Sequence, residues 1–139
     1  MPSPFRFTMD DWRAAKVHVA ETLMGIARAP DLREDQRNIT YKDLTLSIQD
    51  ALPHVRIFYR GTVIRTLLNE VSQASHELEG CWITSLVVRQ DFRRPGKGLR
   101  EYLQKQGKTM QDVLEEQRAA VSFLRSDRAE QLLARLRTD

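Results

Sequence analysis

Apolar residues return every three or four positions along most of this chain, the spacing of helices that bury one face. Trp12, Ala15, Val19, Leu23, Ile26 and Ala27 form the first such stripe. It is preceded by Thr8, with Asp11 three residues on, a capping-box spacing in which Asp replaces the usual Glu. Phe7 and Trp12 bracket the cap at hydrophobic-staple spacing, and Pro30 ends the helix. A charged connector over 29–38 leads to Ile39-Thr40-Tyr41-Lys42-Asp43-Leu44, where cap and staple spacings recur. The pattern predicts a helix over about 41–50 that buries Leu44 and Ile48, closed by Pro53. Ile64, Leu67, Leu68, Val71 and Leu78 predict a third helix over 62–78, with Gly80 as its stop.

Two segments read differently. Val55-Arg56-Ile57-Phe58-Tyr59 is rich in strand formers and predicts a short strand or an extended lead-in. Trp82 to Val88 predicts the clearest strand of the chain, followed by a polar loop with a turn signal at Pro95-Gly96. A short helix is expected from near Gly98 to Gly107. Thr109 and Asp112 give a third capping spacing, opening an amphipathic helix with Met110, Val113, Leu114, Val121 and Leu124. Ser126-Asp127 caps a last helix with Leu132, Leu133 and Leu136. The expected architecture is mainly α with a little β (α+β): a winged-helix-like core over 1–108 with one or two short strands, and a C-terminal helical pair over 109–139. That pair is expected to pack on the core or on another subunit, which makes a homodimer the expected assembly.

Composition changes this picture in one place. The chain of 139 residues carries 22 Lys and Arg against 19 Asp and Glu, a net charge of +3. Between Arg89 and Lys108 seven basic residues face only Asp91 and Glu101, a local +5. The excess positive charge of the whole protein therefore sits in that segment, and the remainder is slightly acidic. A single cysteine, Cys81, rules out an intrachain disulfide and suits a reducing compartment. No apolar run approaches the roughly 20 residues that span a bilayer, and the N-terminal stretch lacks a signal core. A cytoplasmic location without membrane association is expected.

The order helix, helix, helix, strand, basic loop is that of a winged helix. Ile39-Thr40-Tyr41-Lys42-Asp43-Leu44 resembles the Ile-Thr-Tyr-Gly-Glu-Leu opening of the second helix in alkyltransferase-like winged-helix DNA-binding domains. The resemblance covers roughly residues 39–98 and implies that the next helix enters a DNA groove. The Pro-Cys-His-Arg motif of true alkyltransferases is absent, because Cys81 stands in Gly-Cys-Trp-Ile, so alkyl transfer is not implied. Leu86-Val87-Val88 followed by Arg94-Pro95-Gly96-Lys97-Gly98 also resembles small uncharacterised bacterial domains.

Chemistry of other kinds finds little support. Pro95-Gly96-Lys97-Gly98 lacks the spacing of a phosphate-binding P-loop. His18, His54 and His76 show no metal-ligand spacing. Asp91 has no companion carboxylates in a nuclease-like arrangement. Cys81 and His76 lack a third orienting group for nucleophilic catalysis. No catalytic residue, metal or cofactor is expected.

A basic cluster is what phosphate-backbone binding requires, because neutralising phosphates releases counterions. Arg89, Arg93, Arg94, Lys97 and Arg100 are the candidate phosphate contacts in the loop, with Arg60 at the start of helix 62–78. Arg65, Thr66, Asn69 and Gln73 lie off the apolar stripe of that helix. Arg, Asn and Gln have the donors and acceptors that read base edges in the major groove. The expected function is a non-enzymatic binder of double-stranded DNA, a regulator or an accessory factor of DNA processing or phage defence. The alternative is a protein-interaction module, an adaptor, inhibitor or assembly subunit, whose basic surface meets an acidic protein.

Overall fold

A computed structural model describes residues 7–58, 61–88, 104–105, 107 and 109–138, with Asp35 and Met110 as backbone only. Its helices are α1 (Met9–Arg28), α2 (Tyr41–Ala51), α3 (Thr62–Glu79), α4 (Met110–Arg125) and α5 (Ala129–Thr138). Two short strands, β1 (Ile39–Thr40) and β2 (Val87–Val88), pair in parallel with Ile39 opposite Val87 and Thr40 opposite Val88. The protein is thus mainly helical with a small sheet.

Helix α1 is the central element, packing against α2, α3, α4 and α5. Its buried positions, including Ala15, Val19, Leu23 and Ala27, recur at helical spacing. The capping box at Thr8 forms: Asp11 N–H donates to Thr8 Oγ1 at 3.0 Å, and Thr8 N–H donates to Asp11 Oδ2 at 3.1 Å. The staple forms as well, with the Phe7 and Trp12 rings edge to face at 5.4 Å. Thr40 caps α2 through Asp43 N–H at 3.1 Å, so one residue both pairs in the sheet and starts a helix. Gly61 and Gly80 flank α3 with φ of 105° and 72°, a region that glycine enters at little cost.

The C-terminal helical pair packs on the core. Ala120, Phe123, Leu124, Leu132, Leu133 and Leu136 belong to the same buried cluster as α1 and α3. The apolar stripe of α5 is therefore buried within one chain.

Arginine closes three helix ends, where the last carbonyls lack intrahelical donors. Arg37 donates to the Ile26, Ala27 and Ala29 carbonyls at the end of α1 at 2.8–3.1 Å. Arg28 does the same for α4 through the Leu124 carbonyl at 2.9 Å, and Arg128 for α3 through the Leu78 carbonyl at 3.1 Å. Each cation also meets the negative end of a helix dipole.

The strand predicted over 82–88 needs correction, and the 55–59 segment takes, over its described residues 55–58, the extended one of its two expected forms. Residues 83–86 form a 3-10 helix, and only Val87 and Val88 remain strand. The cause is that side chains take the backbone groups that a neighbouring strand would otherwise satisfy. Trp82 N–H donates to Glu116 Oε1 at 3.0 Å, and Thr84 N–H donates to Ser72 Oγ at 3.0 Å. Ser75 Oγ receives the Ile83 N–H at 3.4 Å and donates to the Cys81 carbonyl at 2.8 Å. The 55–58 segment is the extended lead-in and has no strand partner among the described residues. Gln49 fills that place: its amide donates to the Val55 carbonyl, and its Oε1 accepts Ile57 N–H at 3.3 Å. Val55 and Ile57 still enter the core, so the apolar alternation marks burial without a ladder among the described residues. The expected helix from Gly98 falls largely outside the described residues.

Candidate nucleic-acid interface

Of the ten candidate contact residues, Arg65, Thr66, Asn69 and Gln73 lie within the described residues. Arg60, Arg89, Arg93, Arg94, Lys97 and Arg100 lie outside them. The four described residues sit on α3, whose opposite face buries Ile64, Leu67, Leu68 and Val71. All four are exposed. Asn69 follows Arg65 and Thr66 by four and three residues and Gln73 follows Asn69 by four, which gathers them into one stripe along the helix. Among the described residues none of the four side chains makes a hydrogen bond or ion pair.

The electrostatics of α3 favour this stripe more than its composition suggests. The helix carries Arg65 against Glu70, Glu77 and Glu79. Each acid is met by a cation from outside α3. Glu70 accepts the Trp12 indole N–H at 3.0 Å and lies 3.6 Å from the buried Lys16 ammonium. Glu77 pairs with Arg135, and Glu79 with Arg128. The carboxylates are thereby balanced from α1, from the turn before α5 and from α5 itself, which leaves Arg65 as the charge of the exposed stripe without an ion-pair partner among the described residues.

The basic 89–108 segment departs from a fixed point. Val88 is buried and pairs with Thr40, the cap of α2. The chain therefore enters the basic segment beside the start of α2. The connection from α2 to α3 covers residues 52–61 and is longer than the three- or four-residue turn of a tight helix-turn-helix. The element order also differs from helix, helix, helix, strand: β1 stands between α1 and α2, and a 3-10 helix separates α3 from β2.

Other reactive groups are committed to structure. Cys81 is buried, and burial, reinforced by the Glu116 and Glu79 charges, pushes its thiol up to about 12. It is a protonated core residue at neutral pH, unsuited to nucleophilic attack. His18 Nε2 lies 2.7 Å from Ser47 Oγ and ties α1 to α2. His54 Nε2 lies 2.7 Å from Asp11 Oδ1 and ties the α2–α3 connection to the start of α1. Among the described residues no three His, Cys, Asp or Glu side chains gather into a metal site. No described helix is long and apolar enough to cross a membrane.

Sequence reasoning does not reach a second surface. A groove of about 1300 Å³ runs along α4, with Arg33 and Arg37 on one side and Leu114, Arg118 and Arg125 on the other. Its signal in the sequence is a stripe at positions 114, 118, 121 and 125, which the mixed charge of an amphipathic helix masks.

No family model matches the chain, and no curated protein or solved structure matches it.

Proposed function

We propose that the protein is a small DNA-binding protein, a regulator or accessory factor that contacts duplex DNA through α3 and the basic 89–108 segment. The observation that carries this reading is the exposed stripe of Arg65, Thr66, Asn69 and Gln73, whose hydrogen-bonding groups are all uncommitted among the described residues. Polar side chains on a surface helix are common. Here the neighbouring acids are each held by a cation, so the stripe does not repel a polyanion. The +5 segment supplies the backbone attraction that base-reading side chains need in order to act.

In this arrangement the cations of the 89–108 segment anchor the phosphates, and Arg65, Asn69 and Gln73 face the base edges. The test is a titration of labelled duplex DNA at about 50 mM and about 200 mM salt, a range over which several phosphate contacts cost orders of magnitude in affinity. Binding that weakens steeply with salt supports the reading. An absence of binding at the lower salt, or affinity that ignores salt, overturns it.

A further inference from the structure

The α4 groove has a chemistry of its own. Helix α4 turns Val113, Ala120, Phe123 and Leu124 inward to the core. A second stripe, Leu114, Arg118, Val121 and Arg125, lines the groove. Leu114 is 49% exposed, one of few large apolar side chains so open to solvent, and buried Leu86 lies at the base. Among the described residues, four arginines and one acid, Glu34, carry the charge of the lining. Glu34 is already held by Arg118, with Nε 2.6 Å from its Oε1, and Arg37 is committed to the carbonyls of α1. Arg125 makes no side-chain hydrogen bond or ion pair among the described residues.

We propose that this groove is a docking site for an acidic amphipathic helix of a partner protein. The size fits: about 1300 Å³ exceeds the roughly 300–1,000 Å³ of small-molecule pockets. The charge fits, because the lining is cationic and Arg125 lacks an anion among the described residues. An apolar strip flanked by arginines matches a ligand whose leucines and carboxylates alternate at helical spacing, the helix-in-groove mode of recognition. Nucleic acid fits less well, since a phosphate backbone offers nothing to cover Leu114 and Val121. Arginine also serves an interface better than lysine, through bidentate contact with carboxylates and weaker hydration.

The probe is a fluorescein-labelled helical peptide of about 20 residues with a Leu–Glu heptad pattern, read by anisotropy against the full chain. A matched peptide with Gln for Glu tests charge, and single-stranded oligo-dT tests polyanion binding. Saturable binding of the acidic peptide is expected, weakened about tenfold or more by Leu114→Glu or Arg125→Glu. The Gln peptide is expected to bind at least about tenfold more weakly. Both substituted positions are exposed, and equal melting temperatures would show that the fold is intact; Leu114→Ala serves if Leu114→Glu melts early. The combined Arg65→Ala, Asn69→Ala, Gln73→Ala variant should retain peptide binding, which separates this surface from the α3 stripe. No binding of the acidic peptide, or binding indifferent to both groove substitutions, overturns the proposal. So does oligo-dT that competes for the groove and depends on Leu114.

Discussion

The Glu116 carboxylate on α4 accepts the backbone N–H of Trp82 at 3.0 Å, although Glu116 is only 8% exposed. One charged side chain thus fixes the start of the 3-10 segment that bridges α3 and α4. Its charge also helps raise the Cys81 thiol. Glu116→Ala removes the acceptor and leaves a part-buried N–H unsatisfied, at a cost of about 1–3 kcal/mol. Glu116→Gln keeps an acceptor and should lose less. Urea denaturation of the two variants checks the ordering. Thiol titration with an alkylating reagent should show Cys81 more reactive at high pH in Glu116→Gln than in the parent, because one of the groups disfavouring the thiolate is gone.

The helices are legible because their signals are local. Thr8 with Asp11, and Thr40 with Asp43, stand three residues apart in sequence, and the caps they form need nothing from elsewhere in the fold. The 3-10 helix is not legible. Trp-Ile-Thr-Ser-Leu-Val-Val has strand propensity, but Ser72, Ser75 and Glu116, all outside that segment, decide where its N–H groups go. Serines inside a helical stripe look neutral between Val71 and Leu78, yet they are the acceptors that replace a strand. The α3 stripe is legible as exposed polar positions. Its electrostatic state is not, because the cations that balance Glu70, Glu77 and Glu79 come from elsewhere in the chain, Lys16, Arg135 and Arg128. The groove is hidden for a similar reason: Arg33 and Arg125 are distant in sequence and meet only through the packing of α4 on the core.

Arg37 provides a sharper stability test. Its guanidinium, in a residue 8% exposed, donates to four carbonyls: Ile26, Ala27, Ala29 and, at 2.6 Å, Leu32. No aliphatic side chain can replace that fan of donors at the end of α1. Arg37→Ala should destabilise by roughly 2–4 kcal/mol, since hydrogen bonds to a charged group contribute about 1.5–3 kcal/mol each but do not add in full. Arg37→Lys should recover little, because an ammonium cannot span the same carbonyls. Chemical denaturation of both variants measures this. Full recovery by lysine would show that charge alone, rather than the planar fork, holds the terminus.

Acid should loosen the start of α1. His54 and then the Thr8 backbone N–H hold the Asp11 carboxyl below its ordinary value of 3.8, against the opposing effect of burial. A depressed folded-state pKa means that the carboxylate contributes stability above the unfolded value. That contribution is lost as pH falls through the folded value. The parent should therefore lose melting temperature more steeply below about pH 4 than Asp11→Asn does. His54→Ala should reduce the same acid dependence without touching the cap hydrogen bonds of Thr8. Melting curves between about pH 2 and pH 6 measure both effects. Identical acid limbs in parent and Asp11→Asn would place the acid sensitivity elsewhere.

On the DNA reading, substitutions on α3 and in the basic segment should leave different signatures. Arg65→Ala and Asn69→Ala remove groups facing base edges, so each should cost about 1–3 kcal/mol on a preferred site and relax discrimination at one position. Asn69→Ala should leave the salt dependence unchanged because it removes no charge. Arg94→Ala or Lys97→Ala should instead weaken binding to all sequences alike. Each should reduce the slope of log affinity against log salt by about 0.9 for every phosphate that is no longer neutralised. Two experiments decide between these signatures: selection of preferred sites from a random duplex library, then salt titrations of each variant on a preferred and a scrambled duplex. If Arg65→Ala and Lys97→Ala behave alike on both duplexes, α3 contacts only phosphate and reads no bases. The stripe would then serve positioning rather than recognition.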